Sequence, residues 1–269
     1  MAVCTGATCD FARDHEIAQM PFMREIERRV RGSDYGATSW ATREQVQQSV
    51  ARLSLAPGLC LLEIGAGSGW PALLLATLSG CDVVLTDVPL SGLRAARARA
   101  ENDRVASRCL TLAADGTALP FRAHSFDRIH HADVLCCMER KREMLDECRR
   151  VACSSALMEF SVISLAREPA SDDERRLLQL SGPPHPYVDA DYTVLLQRTG
   201  WTALERMDVT QDFARCMDIL LQELQTRREE FVVSLGEQDY GERMAHRRST
   251  RAAIFRGLLR REIFVAKSC

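Results

Sequence analysis

Lysine is almost missing from this chain. Of 269 residues only Lys141 and Lys267 are lysines, and arginine supplies the other 33 of the 35 basic side chains. We read this bias as the base composition of the coding DNA rather than as function. An excess of charge of one sign is missing as well. The formal net charge is −2, which argues against a polyanion such as nucleic acid as the main partner. No uninterrupted apolar run has the length a membrane helix needs, and residues 1–20 lack the apolar stretch of a signal peptide. The expectation is a soluble, cytoplasmic protein with no membrane partner. Cysteine is plentiful, at 11 residues, but no CxxC pair occurs. The usual zinc and redox spacings are therefore absent, leaving reduced, packed thiols and no metal as the expectation.

What is present suits a full-sized core, since 46% of the residues are hydrophobic. Residues 1–10 read as a loose tail. Phe11, Ile17, Met20, Met23, Ile26 and Val30 recur as on one amphipathic helix over 11–30. A glycine-bearing loop over 32–40 and a second helix over 42–53 follow, ended by Pro57 and Gly58. The period then changes. Short apolar runs at 60–64, 82–86, 109–112, 126–130 and 156–163 alternate with helical stretches, which implies βαβ units and a parallel sheet. Residues 166–189 read as a loop or short helix at the sheet rim. A helix over 192–199, a strand over 201–209, a long helical stretch over 212–258 and a last strand over 262–266 complete a doubly wound α/β domain.

One motif carries chemistry. Glu63-Ile64-Gly65-Ala66-Gly67-Ser68-Gly69 closes the first strand and opens the next helix. Glycines there let backbone amides approach a ligand at a helix N-terminus. Asp87 ends the second strand eighteen residues past Gly69, where a carboxylate can accept both hydroxyls of a ribose. Asp115 follows the third strand in the segment Asp115-Gly116-Thr117-Ala118-Leu119-Pro120-Phe121. A dinucleotide fingerprint would need glycine where Trp70 stands. A nucleoside without phosphates, its base met by a second acid, fits better.

These residues resemble class I S-adenosylmethionine-dependent methyltransferases, closest to the small-molecule, ubiquinone-biosynthesis-like branch. The likeness is clear over 58–165 and holds in arrangement over 185–268. It implies a Rossmann-like doubly wound seven-stranded sheet, parallel except for an antiparallel last strand, plus a helical cap. Residues 1–57 would be an N-terminal helical cap, and 58–269 the sheet domain with a cap insertion at about 212–258. The cofactor would be S-adenosylmethionine, with S-adenosylhomocysteine as product. Gly65, Ala66 and Gly67 would frame its methionine portion and Glu63 would hold the turn. Asp87 would bind the ribose, Val88 would lie against the adenine, and Asp115 would meet the adenine amino group beside Gly116. His131, at the end of strand four, sits where the family's backbone contacts the methionine amine, and its side chain would act in catalysis.

Methyl transfer is an in-line displacement, so a general base is needed only if the acceptor arrives protonated. His131 and Tyr35 are the candidate catalytic groups, while Trp40, His185 and Cys137 are candidate substrate contacts. Asp133-Val134-Leu135 is followed by Cys136-Cys137, where many relatives carry Glu-His. The histidine of phosphoethanolamine-type relatives is thus missing. The motifs of amino methyltransferases acting on DNA, and the Pro-Cys element of cytosine C5 attack, are missing too. A small-molecule acceptor is expected, for a monomer or a homodimer. The alternative is an inactive cofactor-binding homologue or accessory partner.

Overall fold

The computed structural model describes residues 10–189 and 191–269; the expected loose tail falls outside them except for Asp10. Asp10 caps the first helix by accepting from the Arg13 amide. Helices α1 (Phe11–Ala18), α2 (Pro21–Arg31) and α3 (Arg43–Arg52) precede the first strand. The single helix expected over 11–30 is therefore two. Pro21 has no amide to continue the first helix and stands instead at the first position of the second.

The alternating region runs β1 (Cys60–Ile64), α4 (Ala72–Ser79), β2 (Asp82–Asp87), α5 (Leu90–Asn102), β3 (Cys109–Ala113), β4 (Phe126–Ala132), α6 (Lys141–Val151) and β5 (Ala152–Leu165). Then come α7 (Asp172–Gln179), α8 (Tyr192–Arg198), β6 (Trp201–Asp208), α9 (Thr210–Thr226), α10 (Arg228–Leu235), α11 (Glu237–Phe255) and β7 (Leu259–Ser268). The stretch expected as one helical run over 212–258 is three helices, with Arg227 ending α9 and Gly236, at φ 93°, ending α10.

The seven strands lie in the order β3-β2-β1-β4-β5-β7-β6. Neighbours are parallel except that β7 runs antiparallel to both β5 and β6. The doubly wound sheet with an antiparallel last strand is thus what forms. Strand β5 outruns its apolar run at both ends: Ala152 pairs with Phe126 of β4, and Ser164 and Leu165 pair with Arg260 and Leu259 of β7.

Helix α3 departs from the expected cap. Val46 and Leu53 pack in one cluster with Leu61, Leu73 and Leu85, so α3 belongs to the helical layer on the sheet. Its capping box, Thr42 with Gln45, sets where it starts. Arg52 at its end reaches the buried Glu159 of β5 at 2.8 Å. The remaining flanking helices stand together elsewhere. Phe22 of α2 meets Phe231 of α10 edge-on at 5.8 Å, and Arg29 of α2 pairs with Glu223 of α9 at 3.0 Å. The Val209 amide before α9 donates to the Arg261 carbonyl of β7. β7 begins where β5 ends, so this helical group is rooted at the carboxyl rim of the parallel strands.

One buried ion pair ties these parts together. The Arg261 and Asp133 side chains are 1% and 7% exposed, and the pair closes at 2.9 Å. Asp133 also accepts from Ser161 at 2.9 Å and from the Trp40 amide at 2.7 Å, while Arg261 donates to Gln45 at 3.1 Å. Removing one partner of such a pair strands a buried charge, at a cost of about 3–5 kcal/mol. Arg261→Ala should therefore lose about that much stability in urea unfolding. The double variant Arg261→Met with Asp133→Asn should lose less than the single one, and an equal or larger loss would count against the stranded charge as the cause.

Candidate active site

The glycine turn follows from strand β1 reaching the rim. Gly65 and Gly67 have φ of 70° and 48°, in the left-handed region where side chains are disfavoured. A Cβ on Gly65 would stand 2.5 Å from Val134 Cγ2, and one on Gly67 would stand 2.6 Å from His15 Cε1. The turn thus brings bare backbone against two neighbours. Ala66, buried, donates its amide to the Thr86 carbonyl, which seats the turn on β2.

Asp87 ends β2 beside that turn. One carboxylate oxygen accepts from the Gly67 amide at 2.6 Å and the other from the Val88 amide at 2.7 Å. Each oxygen keeps a lone pair, which is what a vicinal diol needs. Burial lifts the Asp87 carboxyl above its ordinary value, against the pull of both amides and of His15. Val88 is 68% exposed and offers an open apolar surface next to it. Asp115 lies exposed past β3 and holds its own turn, accepting from the Thr117 amide and hydroxyl at 2.8 Å each. Gly116 is pressed on the core, since a Cβ there would meet Ile64 Cγ2 at 2.9 Å. The structure therefore brings Gly65, Ala66, Gly67, Asp87 and Val88 together.

Glu63 does not face the turn. It is fully buried and bonds the His130 ring at 2.8 Å, in the cross-strand row Glu63, His130, Glu159. Burial opposes a charged His130 ring, but the Glu63 carboxylate, with Glu159 behind it, outweighs that and holds the ring above its ordinary value. Glu63 thus acts on the turn from beneath, through the strand that carries it.

His131 points to the other face of the sheet. It is fully buried, stacks on Phe160 at 4.8 Å, and has no partner for either ring nitrogen among the described residues. Burial drives its pKa well below the ordinary value, with His130 adding to the effect. The catalytic role expected of it needs a nitrogen that can exchange protons, and this packing seals both.

Tyr35 is corrected too. Its hydroxyl donates to Asp103 at 2.6 Å, its ring packs on Trp70, and the Arg99 guanidinium lies over it at 3.8 Å. Burial and the Asp103 carboxylate push the phenol well above its ordinary range, so it stays protonated. Its loop is held by Glu27, whose buried carboxylate accepts from Ser33 Oγ and the Gly36 and Ala37 amides.

The expected substrate contacts spread along the rim. Trp40 is 8% exposed, edge-on to Phe213, with the Arg31 and Arg247 guanidinium groups at 5.8 and 5.5 Å from its ring. Cys137 is half-buried, its thiol 3.4 Å from the Asp133 carbonyl. The His185 amide donates to the Cys136 carbonyl, and the Lys141 ammonium joins both segments through the carbonyls of Met138 and His185. Asp133 therefore sits between Trp40 and Cys137, and the His185 loop docks behind them.

Sequence reasoning missed His15, Asp133, Arg261 and Glu27. Glu159 had a visible signal, as a charge inside an apolar strand run, whereas Arg261 stands in the charged triplet Arg260-Arg261-Glu262 before the expected strand. His15 had a fainter one, four residues after Phe11 on the same helix.

Residues 62–158 match the family described as a methyltransferase domain. The methyltransferase GfsG of Streptomyces halstedii is 26% identical over 174 residues, covering 64% of this chain and 63% of its own length. The O-methyltransferase rstn1 of Aspergillus nomiae is 29% identical over 63% of this chain and 76% of its own. More than a third of GfsG thus lies outside the match. Among solved structures, the cyclopropane synthase MmaA2 of Mycobacterium tuberculosis superposes with a TM-score of 0.80 at 16% identity, over 97% of this chain and 99% of that one. That likeness shows the fold. Among the described residues no helix is long and apolar enough to cross a membrane, and no group of three His, Cys, Asp or Glu side chains could hold a metal ion.

The Tyr35 geometry has a direct test. Tyr35→Phe should cost about 1.5–3 kcal/mol of stability, the range for a hydrogen bond to a charged group. It should leave binding of a nucleoside ligand unchanged in calorimetry. A large loss of binding with stability intact would return Tyr35 to the site.

Proposed function

We propose that this chain, whose residues 62–158 match a methyltransferase domain, is a class I, S-adenosylmethionine-dependent methyltransferase that methylates a small-molecule acceptor and releases S-adenosylhomocysteine. The observation that carries the reading is Asp87, held by the Gly67 and Val88 amides at the carboxyl end of β2 with a lone pair free on each oxygen. Ligands of doubly wound sheets occupy this crevice. The residues present fit the cofactor, which supplies an activated methyl group on a sulfonium. Gly65, Ala66 and Gly67 would line its methionine portion, Asp87 would take the ribose hydroxyls, Val88 would meet the adenine face, and Asp115 with Gly116 its edge.

The acceptor would lie under α2, α9 and α11, with Trp40, Cys137 and His185 among its contacts. No base is poised there by Tyr35 or His131, which the packing has sequestered. The chain's contribution is then to align the acceptor for in-line attack and to exclude water, with the acceptor atom arriving deprotonated. The fungal relative's name, an O-methyltransferase, supports methyl transfer and an oxygen as the acceptor atom. The sequestering of both candidate bases favours the second reading, a cofactor-binding protein without transfer activity, which turnover assays with candidate acceptors would separate from the first.

Titration calorimetry with S-adenosylhomocysteine tests the cofactor. Asp87→Ala should weaken binding by about 1.5–3 kcal/mol, the range for hydrogen bonds to a charged group. That is roughly a 10- to 150-fold rise in Kd. Unchanged affinity would remove Asp87 from the ribose, and tight binding of NADH by the wild-type chain would sink the class.

A further inference from the structure

We propose that His15 is a cofactor-contacting residue, carried by α1 to close the ribose side of the nucleoside site across from Asp87. The inference rests on the reading of that crevice as an S-adenosylmethionine site, and it concerns a residue outside the matched domain. The ring's orientation is the main support. A Cβ on Gly67 would lie 2.6 Å from His15 Cε1 and 3.4 Å from both Nδ1 and Nε2. The imidazole therefore presents its polar edge to the glycine turn. An apolar packing role would turn the opposite edge inward.

A second observation is independent of that orientation. His15 is 4% exposed, and its Nδ1 is buried with no hydrogen-bond partner among the described residues. Such orphaned atoms are rare in native proteins and point to a missing partner. Asp87 and Asp14 are the carboxylates that act on the ring, but burial outweighs both and holds its pKa below the ordinary value. A neutral imidazole has one N–H and one lone pair. Ribose hydroxyls, which both donate and accept, complement that set.

Helix α1 is fixed so that the ring stays in place. Arg13 pairs with Asp239, and Asp14 with Arg243 at 2.9 Å, both on α11. Ser91 at the start of α5 donates to the Ala12 carbonyl at 3.3 Å, and Gln19 donates to the Tyr35 carbonyl at 2.8 Å. One helix thus joins the nucleoside rim to the helices over the acceptor side. Contact with the ribose would make bound cofactor part of what holds them.

Calorimetry with S-adenosylhomocysteine on the wild type, His15→Ala and His15→Gln reads the contact, with hydrogen exchange of residues 11–18 as a second readout. His15→Ala should raise Kd roughly tenfold, the equivalent of one hydrogen bond. His15→Gln, which keeps a donor and an acceptor, should retain most of the affinity. Ligand should protect 11–18 in the wild type and much less in His15→Ala. Should His15→Ala fail to fold, His15→Phe keeps the bulk without the polar atoms and is judged the same way. Unchanged affinity in the apolar variant, while Asp87→Ala binds weakly, overturns the His15 contact and leaves the site reading intact. Tighter binding also overturns it, because the ring would then stand in the ribose's place. No binding by the wild type overturns both readings.

Discussion

The buried pair of Asp133 and Arg261 is the constraint on which the rim of this molecule depends. Asp133 follows β4 at φ 59°, a conformation that its short side chain tolerates better than most. Its carboxylate gathers Arg261 from β7, Ser161 from β5 and the Trp40 amide from the loop before α3. Four segments distant in sequence are thereby fixed around one charge. Two charges taken out of water give little net stability, but they penalise every arrangement in which they part. The pair therefore specifies where Trp40 and the loop carrying Cys137 lie more than it strengthens the fold.

Beneath the rim a second polar row, Glu63, His130 and Glu159, crosses three adjacent strands in register and is closed by Arg52 and Ser49 of α3. Each member has a partner, as buried polar groups require. The glycine turn above is mounted on that row at Glu63. The segment before β1 is therefore part of the site's foundation, because α3 supplies the last donors of the network that supports the turn.

Much of this was legible. Central parallel strands buried on both faces read as short apolar runs, and all seven strands stand where runs of strand-forming residues place them, while several helix boundaries do not follow from period alone. The glycine turn and Asp87 were legible because their chemistry is local: the backbone that carries them also delivers their partners. Tyr35 and His131 were misleading for the opposite reason. Residue type suggested reactivity, but Asp103 and Phe160, remote in sequence, decide what each ring touches. Arg261 was illegible and His15 only faintly legible on the same ground, since their partners lie 128 residues away at Asp133 and across the fold at Gly67. Helix breaks were half legible. Pro21 stands in plain view, and the apolar stripe across it hid the break.

The helices over the rim come from both sides of the sheet in chain order. α1 and α2 precede it, α9 to α11 interrupt its last strands, and Asp14 and Arg243, 229 residues apart, join them. Such a cover is not a cassette. Were these helices to line the acceptor, as proposed, transplanting acceptor preference would require the two separated stretches to be exchanged together, with their ion pairs matched. A charge reversal on either stretch would therefore be met on the other, at the Asp14–Arg243 contact.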